Sequence, residues 1–285
     1  MKIILANTYE KASQIKPDAA VEAEYGEQII RGAVYTLAHH ADGYKDQPAP
    51  CLFPNQIGFD GDILISHIDL DTIGGCLALY GKKPEDPEFW EAVAFIDVNG
   101  PQHVQELSAG GREKLRAYWG YNNSLIKNKH IGICEVTDEI LQSGLVIQKI
   151  IDGDPFLLQQ GEQWERETQE AVDHCLVSEN EYIRAFETSG VFCNSAYYSP
   201  SMKKIIPAVI VLNSKMNAII ISFADGGKRF SASCAVKKLW GELAGGHEGI
   251  AGSPRGWNLN EAEIRGEFDR AAAYLTSLYV SNVSE

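Results

Sequence analysis

Two kinds of hydrophobic pattern follow one another through the first hundred residues. Residues 2–6, in which Lys2 is followed by a short continuous apolar run, are typical of an opening strand. Between positions 18 and 37 apolar residues recur at every fourth position, and this spacing predicts an amphipathic helix. Continuous runs at 63–65 and 92–96 predict two buried strands, with a helix through residues 76–79 between them. The residues at this four-residue spacing are Val21, Tyr25, Ile29, Ala33 and Leu37.

The second half of the chain begins with a helical pattern and continues with sheet-like runs. Asp154 and Pro155 form a helix start signal, and the pattern predicts a helix that extends to about residue 187. Apolar runs at 207–212 and 218–223 predict a hairpin. Alternation at 229–234 predicts a third strand, followed by a short helix over 235–243 and a final helix from about residue 260.

Alternating strands and helices predict an α/β fold. We expect an N-terminal, mostly parallel sheet flanked by helices over residues 1–155, and a connecting helix over residues 156–190. A smaller C-terminal α/β domain is expected over residues 191–285.

Composition restricts the partners of this chain. Its 285 residues are 45% apolar and 22% charged, as in ordinary globular proteins, and its net charge is −14. This charge should repel long duplex nucleic acid, whereas a metal pair and one or two arginines can still hold a small phosphorylated ligand. No segment has the length of a membrane span or resembles a secretory signal, and the six cysteines form no C-x-x-C pair. We therefore expect a cytoplasmic protein without a membrane partner.

Candidate metal ligands follow the predicted strand at 63–65. His67, Asp69 and Asp71 alternate along the chain, so their side chains can converge from one side of an extended segment. An imidazole and two carboxylates suit Mn²⁺, Mg²⁺ or Zn²⁺. The alternative is a strand-to-helix turn in which Asp71 caps the helix. Asp97 ends the next predicted strand, and we expect it to share the metal, because ligands bind at the carboxyl ends of strands in open α/β sheets.

Further candidates are histidines outside this motif. His39 and His40 form a pair that could supply a metal ligand or a proton donor, or could simply place cations at a helix end. His103 is either a substrate-facing residue or an exposed histidine at the start of a helix over 105–118.

A glycine-rich stretch at 245–252 suggests a ligand-binding loop. Gly245 and Gly246 allow the backbone to approach a phosphate or ribose closely. His247 can form a hydrogen bond with a phosphate oxygen, and Arg255 can make a bidentate contact. Arg229 is a further candidate for orienting the part of the substrate that is not cleaved.

Two of these segments resemble motifs of a known superfamily. Residues 66–71, Ser-His-Ile-Asp-Leu-Asp, resemble the first motif of the DHH phosphoesterases, N/S-H-x-D-x-D-G. Residues 245–252 resemble the G-G-H-x-x-A-A-G signature of their DHHA1 C-terminal domain, and Ile96-Asp97 is similar to the second metal motif. Thr72 stands where the family has glycine. No Asp-His-His triplet lies between the second motif and the predicted connecting helix; the one His-His pair, at 39–40, follows Ala38.

The resemblance implies a phosphoesterase with Mn²⁺ or Mg²⁺, two ions in all, that cleaves phosphodiesters or pyrophosphates. Its substrate would be a small nucleotide or a short oligonucleotide, and this interpretation leaves a homodimer open. The implied metal ligands are His67, Asp69, Asp71 and Asp97, with His39 and His40 as further candidates; Asp71, Asp97 and His40 are the expected catalytic residues. The implied substrate contacts are Gly245, Gly246 and His247, to which we add Arg255, Arg229 and His103.

Other functions are compatible with the same residues. A relative that kept the ligand cleft but lost part of the metal site would bind or sense a nucleotide without cleaving it. Similar C-terminal domains are appended to synthetases, which suggests aminoacyl-tRNA editing, although the acidic charge argues against it. A nucleophilic Cys193 or Cys51 has no histidine at a meaningful spacing.

Overall fold

The computed structural model describes residues 1–26, 28–41, 43–125, 130, 132–189, 194–254 and 256–281. The chain divides into two compact units. The N-terminal unit comprises Met1–Gly100 and Val104–Glu165, and the C-terminal unit comprises Pro101–His103 and Arg166–Glu285. The main transition between them falls inside a helix, Pro155–His174. The domain limits expected at residues 155 and 190 stay predictions.

The N-terminal unit is an α/β structure with a five-stranded sheet. The strand order is β5-β2-β6-β1-β7, and every pairing is parallel except the one between β1 and β7. The strands are β1 (Ile3–Ala6), β2 (Ala19–Val21), β5 (Tyr35–Leu37), β6 (Ile63–Ile65) and β7 (Ile133–Glu135), and a small hairpin, β3 (Glu24–Tyr25) and β4 (Gln28–Ile29), lies between β2 and β5. The helices are α1 (Tyr9–Ala12), α2 (Leu70–Leu79), α3 (Pro87–Asn99), α4 (Ala109–Ser124), α5 (Thr137–Ile151) and the first part of α6 (Pro155–His174).

Both faces of this sheet are covered. In β6, Ile63 and Ile65 point towards the core formed with α2, α3, α4 and α5, whereas Leu64 points to the opposite face, against Ala12 of α1. All three residues of the strand are completely buried. A fully apolar three-residue strand is what a parallel sheet with two covered faces requires.

The C-terminal unit contains a six-stranded mixed sheet with the order β14-β15-β13-β12-β9-β8, in which β12 and β9 are parallel. One face packs against α7 and α8, and the other against α6 residue Val172 and the turn around Tyr197. The elements are β8 (Leu176–Glu179), β9 (Ile183–Thr188), β10 (Tyr198–Ser199), β11 (Lys204–Ile205), β12 (Ala208–Asn213), β13 (Ala218–Phe223), α7 (Ala232–Trp240), β14 (Gly245–Gly246), β15 (Ile250–Gly252) and α8 (Glu261–Ser281); β10 and β11 form a separate pair.

Several sequence predictions are confirmed. The α/β class, the mostly parallel N-terminal sheet, strands β1 and β6, helix α2, the hairpin of β12 and β13, and the final helix α8 are all present. Asp154 caps α6, because its Oδ1 accepts the N–H groups of Phe156 at 3.0 Å and Leu157 at 3.2 Å. These elements have strong local signals, either a long apolar run or an explicit cap.

The helix predicted over residues 18–37 is wrong, because the segment forms β2, β3, β4 and β5. A spacing of four residues is about one helical turn, but it is also two repeats of a strand, so it does not separate the two. Two glycines show why a helix is excluded. Gly26 has a φ of +66°, and a Cβ on Gly32 would lie 2.2 Å from the carbonyl oxygen of Tyr35.

Three other predicted elements need correction. The predicted strand at 92–96 lies inside α3, which begins at Pro87 with Asp86 accepting the N–H of Phe89 at 2.9 Å. A short buried apolar run is equally compatible with a strand and a buried helix. The segment 229–234 is not a strand, because Ser231 caps α7. Helix α6 ends at His174, well before residue 187.

A glycine pair lets α2 pack directly against a short 3₁₀ helix, Pro50–Leu52. A Cβ on Gly74 would lie 2.5 Å from the Cβ of Cys51 and 2.8 Å from the indole of Trp90. A Cβ on Gly75 would lie 2.8 Å from the Cβ of Pro50. The second turn of α2 is therefore held at backbone distance from this 3₁₀ helix.

We predict that Gly74→Ala lowers the free energy of unfolding by about 1–3 kcal/mol, because the added methyl group overpacks the contact with Cys51. Gly266→Ala in α8 is the matched control. No atom lies within 4 Å of its added Cβ, and the change should stabilise by about 0.5–1 kcal/mol. Urea denaturation followed by circular dichroism measures both. Stabilisation by Gly74→Ala would contradict the close packing.

Candidate metal centre

The carboxyl ends of three neighbouring strands assemble a cluster of ligand-type side chains. In the parallel array β5-β2-β6, Glu22 follows β2 directly, and His39 and His40 follow β5. Asp71 lies in the first turn of α2, the helix that follows β6. Parallel strands bring their carboxyl ends to one edge of the sheet, where ligands of α/β proteins bind. Asp97 joins them from the last turns of α3.

The imidazole of His39 lies at the centre of this cluster. Its Nε2 is 2.9 Å from Oδ2 of Asp97, 3.3 Å from Oδ2 of Asp71 and 3.6 Å from Oε1 of Glu22. The Nε2 of His40 is 3.1 Å from the same Asp97 oxygen and 3.5 Å from Oε2 of Glu22. Ligand atoms within each of two groups, Glu22–His39–His40 and His39–Asp71–Asp97, lie within 4.8 Å of one another.

Most of the cluster is buried, and its inward atoms lack hydrogen bonds. Glu22 and Asp71 are 1% exposed, and His39 is 7% exposed. Among the described residues, Oε1 of Glu22, Nε2 of His39, Oδ2 of Asp71 and Oδ2 of Asp97 have no aligned hydrogen-bond partner, although they lie within ion-pair distance of each other. Leaving a buried polar atom unpaired is costly, and a bound ion commonly provides the missing partner. Two imidazoles and three carboxylates are also a donor set that suits a divalent metal. The cluster could therefore hold a metal ion.

The crowding of carboxylates in this buried cluster changes the pKa values of its members. Burial, reinforced by the charge of Asp71, raises the pKa of Glu22 from 4.5 to about 9. Burial alone would lower the pKa of His39, but the carboxylates of Asp71 and Asp97 outweigh it and raise this pKa from 6.5 to about 10. Burial likewise opposes ionisation of Asp97, yet His39 and His40 lower its pKa. The folded chain thus binds protons where carboxylates crowd together.

The backbone around the cluster is specialised to present it. Glu22 has a φ of +49°, a left-handed conformation that costs about 1–3 kcal/mol for a residue with a side chain and is concentrated at functional sites. Its N–H donates to the carbonyl of Leu37 at 2.9 Å, and its carbonyl accepts the hydroxyl of Ser66. The carboxylate of Glu24 accepts the N–H groups of His40 and Ala41 at 3.1 and 2.5 Å. These contacts fix the two histidines relative to Glu22.

Two residues of the predicted motif, His67 and Asp69, form a more exposed pair beside the buried cluster. Nε2 of His67 is 2.9 Å from Oδ2 of Asp69, and the side chains are 48% and 38% exposed. The contact with Asp69 raises the pKa of His67 against the effect of burial, and the charges of Asp97 and Asp71 contribute in the same direction. Asp69, rather than Asp71, caps α2 by accepting the N–H of Thr72 at 2.8 Å. The two residues were expected to extend the strand, and instead they form the strand-to-helix turn.

The remaining candidates lie in the C-terminal unit. Gly245 and Gly246 form β14, which pairs with β15, and the N–H of His247 donates to the carbonyl of Ile250 at 2.8 Å. Gly246 has a φ of +156°, and a Cβ there would lie 2.5 Å from Cα of Ala251, so glycine is required by the hairpin itself.

The other predicted substrate contacts have varied surroundings. Arg229 is exposed, and its guanidinium lies 5.3 Å from the ring centroid of Phe230. His103 is partly buried in a 3₁₀ helix, Pro101–Glu106. Arg255 and the alternative nucleophile Cys193 lie outside the described residues.

Glu22 is the ligand-type residue that sequence reasoning missed. Its signal is an acidic residue that directly follows the apolar run Ala19–Val21, the same pattern that singled out Asp97. The predicted helix over 18–37 concealed that signal. The predicted positions of Asp71 and Asp97 at two strand ends are also wrong, since both lie on helices.

Comparison with known proteins adds little. The chain matches no protein family, and no curated protein is significantly similar to it. Among solved structures, it is similar to an uncharacterized protein from Helicobacter pylori G27, with 12% sequence identity over 74% of this chain and 68% of that chain, at a TM-score of 0.25. A similarity this low supports no argument about fold or activity.

Among the described residues, no helix has the length and apolar character needed to cross a bilayer. Fold and site thus define an α/β protein with a buried His-carboxylate cluster.

We predict that the metal-free protein loses stability as the pH rises from about 6.5 to 9. The pKa values of Glu22 and His39 in the folded chain, about 9 and 10, exceed their ordinary values of 4.5 and 6.5. The folded chain therefore binds more protons than the unfolded chain in this interval, and that stabilisation disappears as the protons dissociate. Urea denaturation in EDTA at a series of pH values measures the effect. Glu22→Gln should flatten the profile; an unchanged profile would contradict the assignment.

Proposed function

We propose that this protein is a Mn²⁺- or Mg²⁺-dependent phosphoesterase that hydrolyses a phosphodiester or phosphoanhydride of a small nucleotide or short oligonucleotide. One observation carries the proposal. Four inward-facing ligand atoms from Glu22, His39, Asp71 and Asp97, which form ion pairs but no aligned hydrogen bond, are gathered at the carboxyl edge of a parallel sheet. The resemblance of residues 66–71 and 245–252 to DHH phosphoesterase motifs supports the choice of reaction class.

The donor set favours a hard or borderline ion. Carboxylate oxygens predominate over the two imidazoles. Oxygen-rich sites suit Mn²⁺ and Mg²⁺, whereas thiolate-rich sites select softer metals. A divalent ion bound here would supply a water of lowered pKa and would stabilise charge on a phosphoryl oxygen. Glu22, His39, Asp71 and Asp97 are the residues that would hold it.

The number of ions follows from the sharing of His39. Both candidate ligand groups contain this residue, and an imidazole nitrogen has a single lone pair to give to one metal. We therefore assign one ion to the buried cluster. We assign the second ion of the proposal to the exposed pair, His67 and Asp69, where the ion would replace their mutual contact at 2.9 Å.

His40 is the proposed proton donor. Its side chain is half exposed, whereas that of His39 is buried, so it lies at the boundary between the cluster and solvent. Its Nε2 is 3.1 Å from Oδ2 of Asp97, a contact that orients the ring. An imidazolium there can give its proton to the oxygen of a departing nucleotide.

The C-terminal unit is the proposed substrate-binding part. Its glycine hairpin at 245–252 exposes the side chain of His247, and the exposed Arg229 is the proposed contact for a phosphate. Arg255 and His103 remain in the proposal as predicted from the sequence.

The net charge of −14 favours small ligands over long duplexes. The described cysteines are free thiols, as a reduced cytoplasmic compartment would keep them. A homodimer stays open.

The second candidate function is nucleotide binding without cleavage. The specific observation in its favour is that His67 and Asp69 contact each other, while the family's Asp-His-His triplet is missing from its expected place. A protein with one ion and no second position would retain a binding site but lack a complete hydrolytic one. Turnover and metal content distinguish the two candidates.

We predict Mn²⁺-dependent hydrolysis when the metal-loaded protein is screened against cyclic dinucleotides, linear dinucleotides and phosphoadenosine-type nucleotides. Asp71→Asn should lower turnover by more than about 100-fold, because loss of a ligand exceeds the 10- to 100-fold effect typical of residues behind the ligands. Asp60→Asn, which makes the same change at an exposed loop residue, should leave turnover unaltered. Equal turnover by wild type and Asp71→Asn would exclude this site. Nucleotide binding without hydrolysis would select the second candidate.

We also predict that titration of the metal-free protein with Mn²⁺ gives two ions per chain. Isothermal titration calorimetry, checked by metal analysis of the dialysed protein, measures the stoichiometry. His67→Gln should remove one ion and leave the other, while His174→Gln, on the exposed face of α6, should change neither. One ion in the wild type, unaffected by His67→Gln, would refute the second position.

A further inference from the structure

A lysine outside the cluster is connected to one of its carboxylates through a short turn. The ammonium of Lys83 donates to the carbonyl of Cys51 at 2.6 Å and to the carbonyl of Phe53. The N–H of Cys51 in turn donates to Oδ1 of Asp71 at 2.8 Å. Lys83 therefore holds two carbonyls of the turn whose Cys51 amide contacts Asp71.

The lysine is itself fixed in place. The side chain of Asn55 donates to the carbonyl of Lys83 at 2.9 Å and accepts its N–H at 3.0 Å, so two reciprocal hydrogen bonds join the loop to residue 83. The ammonium also lies 5.6 Å from the ring centroid of Trp90. A half-buried lysine with this many contacts is not a freely moving surface charge.

The contact from Cys51 divides the two oxygens of Asp71 between different tasks. Oδ1 accepts the amide, whereas Oδ2 faces Nε2 of His39 at 3.3 Å and has no hydrogen-bond partner. Rotation of the carboxylate would exchange these oxygens or direct neither of them at the cluster. The amide prevents this because it is held by Lys83 on one side and by the close approach of Gly74 on the other.

We propose that Lys83 is a positioning residue of the metal centre: it holds the turn Pro50–Phe53 so that the Cys51 amide orients Asp71 and leaves Oδ2 free for the ion. The inference rests on the proposed metal site. Residues behind metal ligands generally orient them, and their loss weakens metal affinity without removing a ligand. Here the group that orients Asp71 is a backbone N–H, so Lys83 acts on this ligand indirectly, by holding the backbone of the turn.

Chemistry explains why a lysine serves this purpose. Two carbonyls at the end of a 3₁₀ turn need donors, and a charged donor forms stronger hydrogen bonds than a neutral one. Burial lowers the pKa of Lys83, and the charge of Asp71 acts in the opposite direction, so the ammonium and the carboxylate interact across the turn. Methionine would keep the apolar stem but provide no donor.

The test is Mn²⁺ affinity, measured by calorimetry and by electron paramagnetic resonance of free Mn²⁺. Lys83→Met should raise the Kd of the buried site by about 10- to 100-fold. Lys83→Arg should restore most of the affinity, because a guanidinium can donate to both carbonyls. Lys82→Met, a change at the exposed neighbouring residue, should leave the Kd within twofold of wild type.

A second control separates positioning from general stability. Gly161→Ala should destabilise the same unit, because its Cβ would lie 2.5 Å from the backbone of Ala117, yet it should leave Mn²⁺ affinity unchanged. A purely structural lysine would behave like this glycine, with lower stability and normal affinity. That outcome, or a wild-type Kd in folded Lys83→Met, overturns the inference.

The remaining outcomes are also decisive. If Lys83→Met does not fold, the exposed Asn55→Ala takes its place and should weaken binding by about 3- to 10-fold, by loosening the same loop; an unchanged Kd would reject the role of Lys83. Asp71→Asn distinguishes failure of the metal site from failure of the role of Lys83. Normal Mn²⁺ binding by Asp71→Asn would refute the metal site itself, whereas lost binding there with normal binding by Lys83→Met would refute the lysine alone.

Discussion

Three carboxylates and two imidazoles, all but His40 mostly buried, converge in the N-terminal unit, and the mutual repulsion of the carboxylates has to be balanced. Burial makes this repulsion strong, because little water remains to screen it. In the metal-free chain, protons on Glu22 and His39 supply the balance, as their raised pKa values indicate. A divalent cation would balance the same charges more completely. Stability, pH response and metal affinity of this unit are therefore linked through one group of side chains.

The surrounding structure serves to hold this arrangement together. A left-handed backbone at Glu22 and a glycine pair in α2 are both locally unfavourable, and each brings a ligand into the cluster. Glu24 holds the backbone of His40 and Ala41, and the Cys51 amide holds Asp71. For Asp71 this contact also determines which oxygen faces the cluster. Such support is typical of sites in which geometry matters.

Sequence reasoning identified the chemistry of the site better than its architecture. His39, His40, Asp71 and Asp97 were all candidates, and the structure gathers them within ion-pair distance. The predicted secondary structure at two of these residues was wrong, since Asp71 and Asp97 were placed on strand ends and both lie on helices. Residue type limits the metal chemistry that can occur at the site, whereas an apolar run as short as 92–96 does not distinguish a strand from a buried helix.

The sequence by itself determined the α/β class, the long elements with explicit caps or continuous apolar runs, and the supply of imidazole and carboxylate ligands. These are local properties, encoded within a few neighbouring residues. Only the tertiary structure decided that residues 18–37 form strands, that Glu22 joins the cluster, and that His67 pairs with Asp69 outside it. The physical reason is that the strands within 18–37 are two or three residues long and, unlike the wholly aliphatic β6, stand in a segment of mixed polarity, so they carry too little pattern to be recognised alone. Their state is set by the pairing partner, and β2 finds its partners 16 residues away in β5 and 44 residues away in β6.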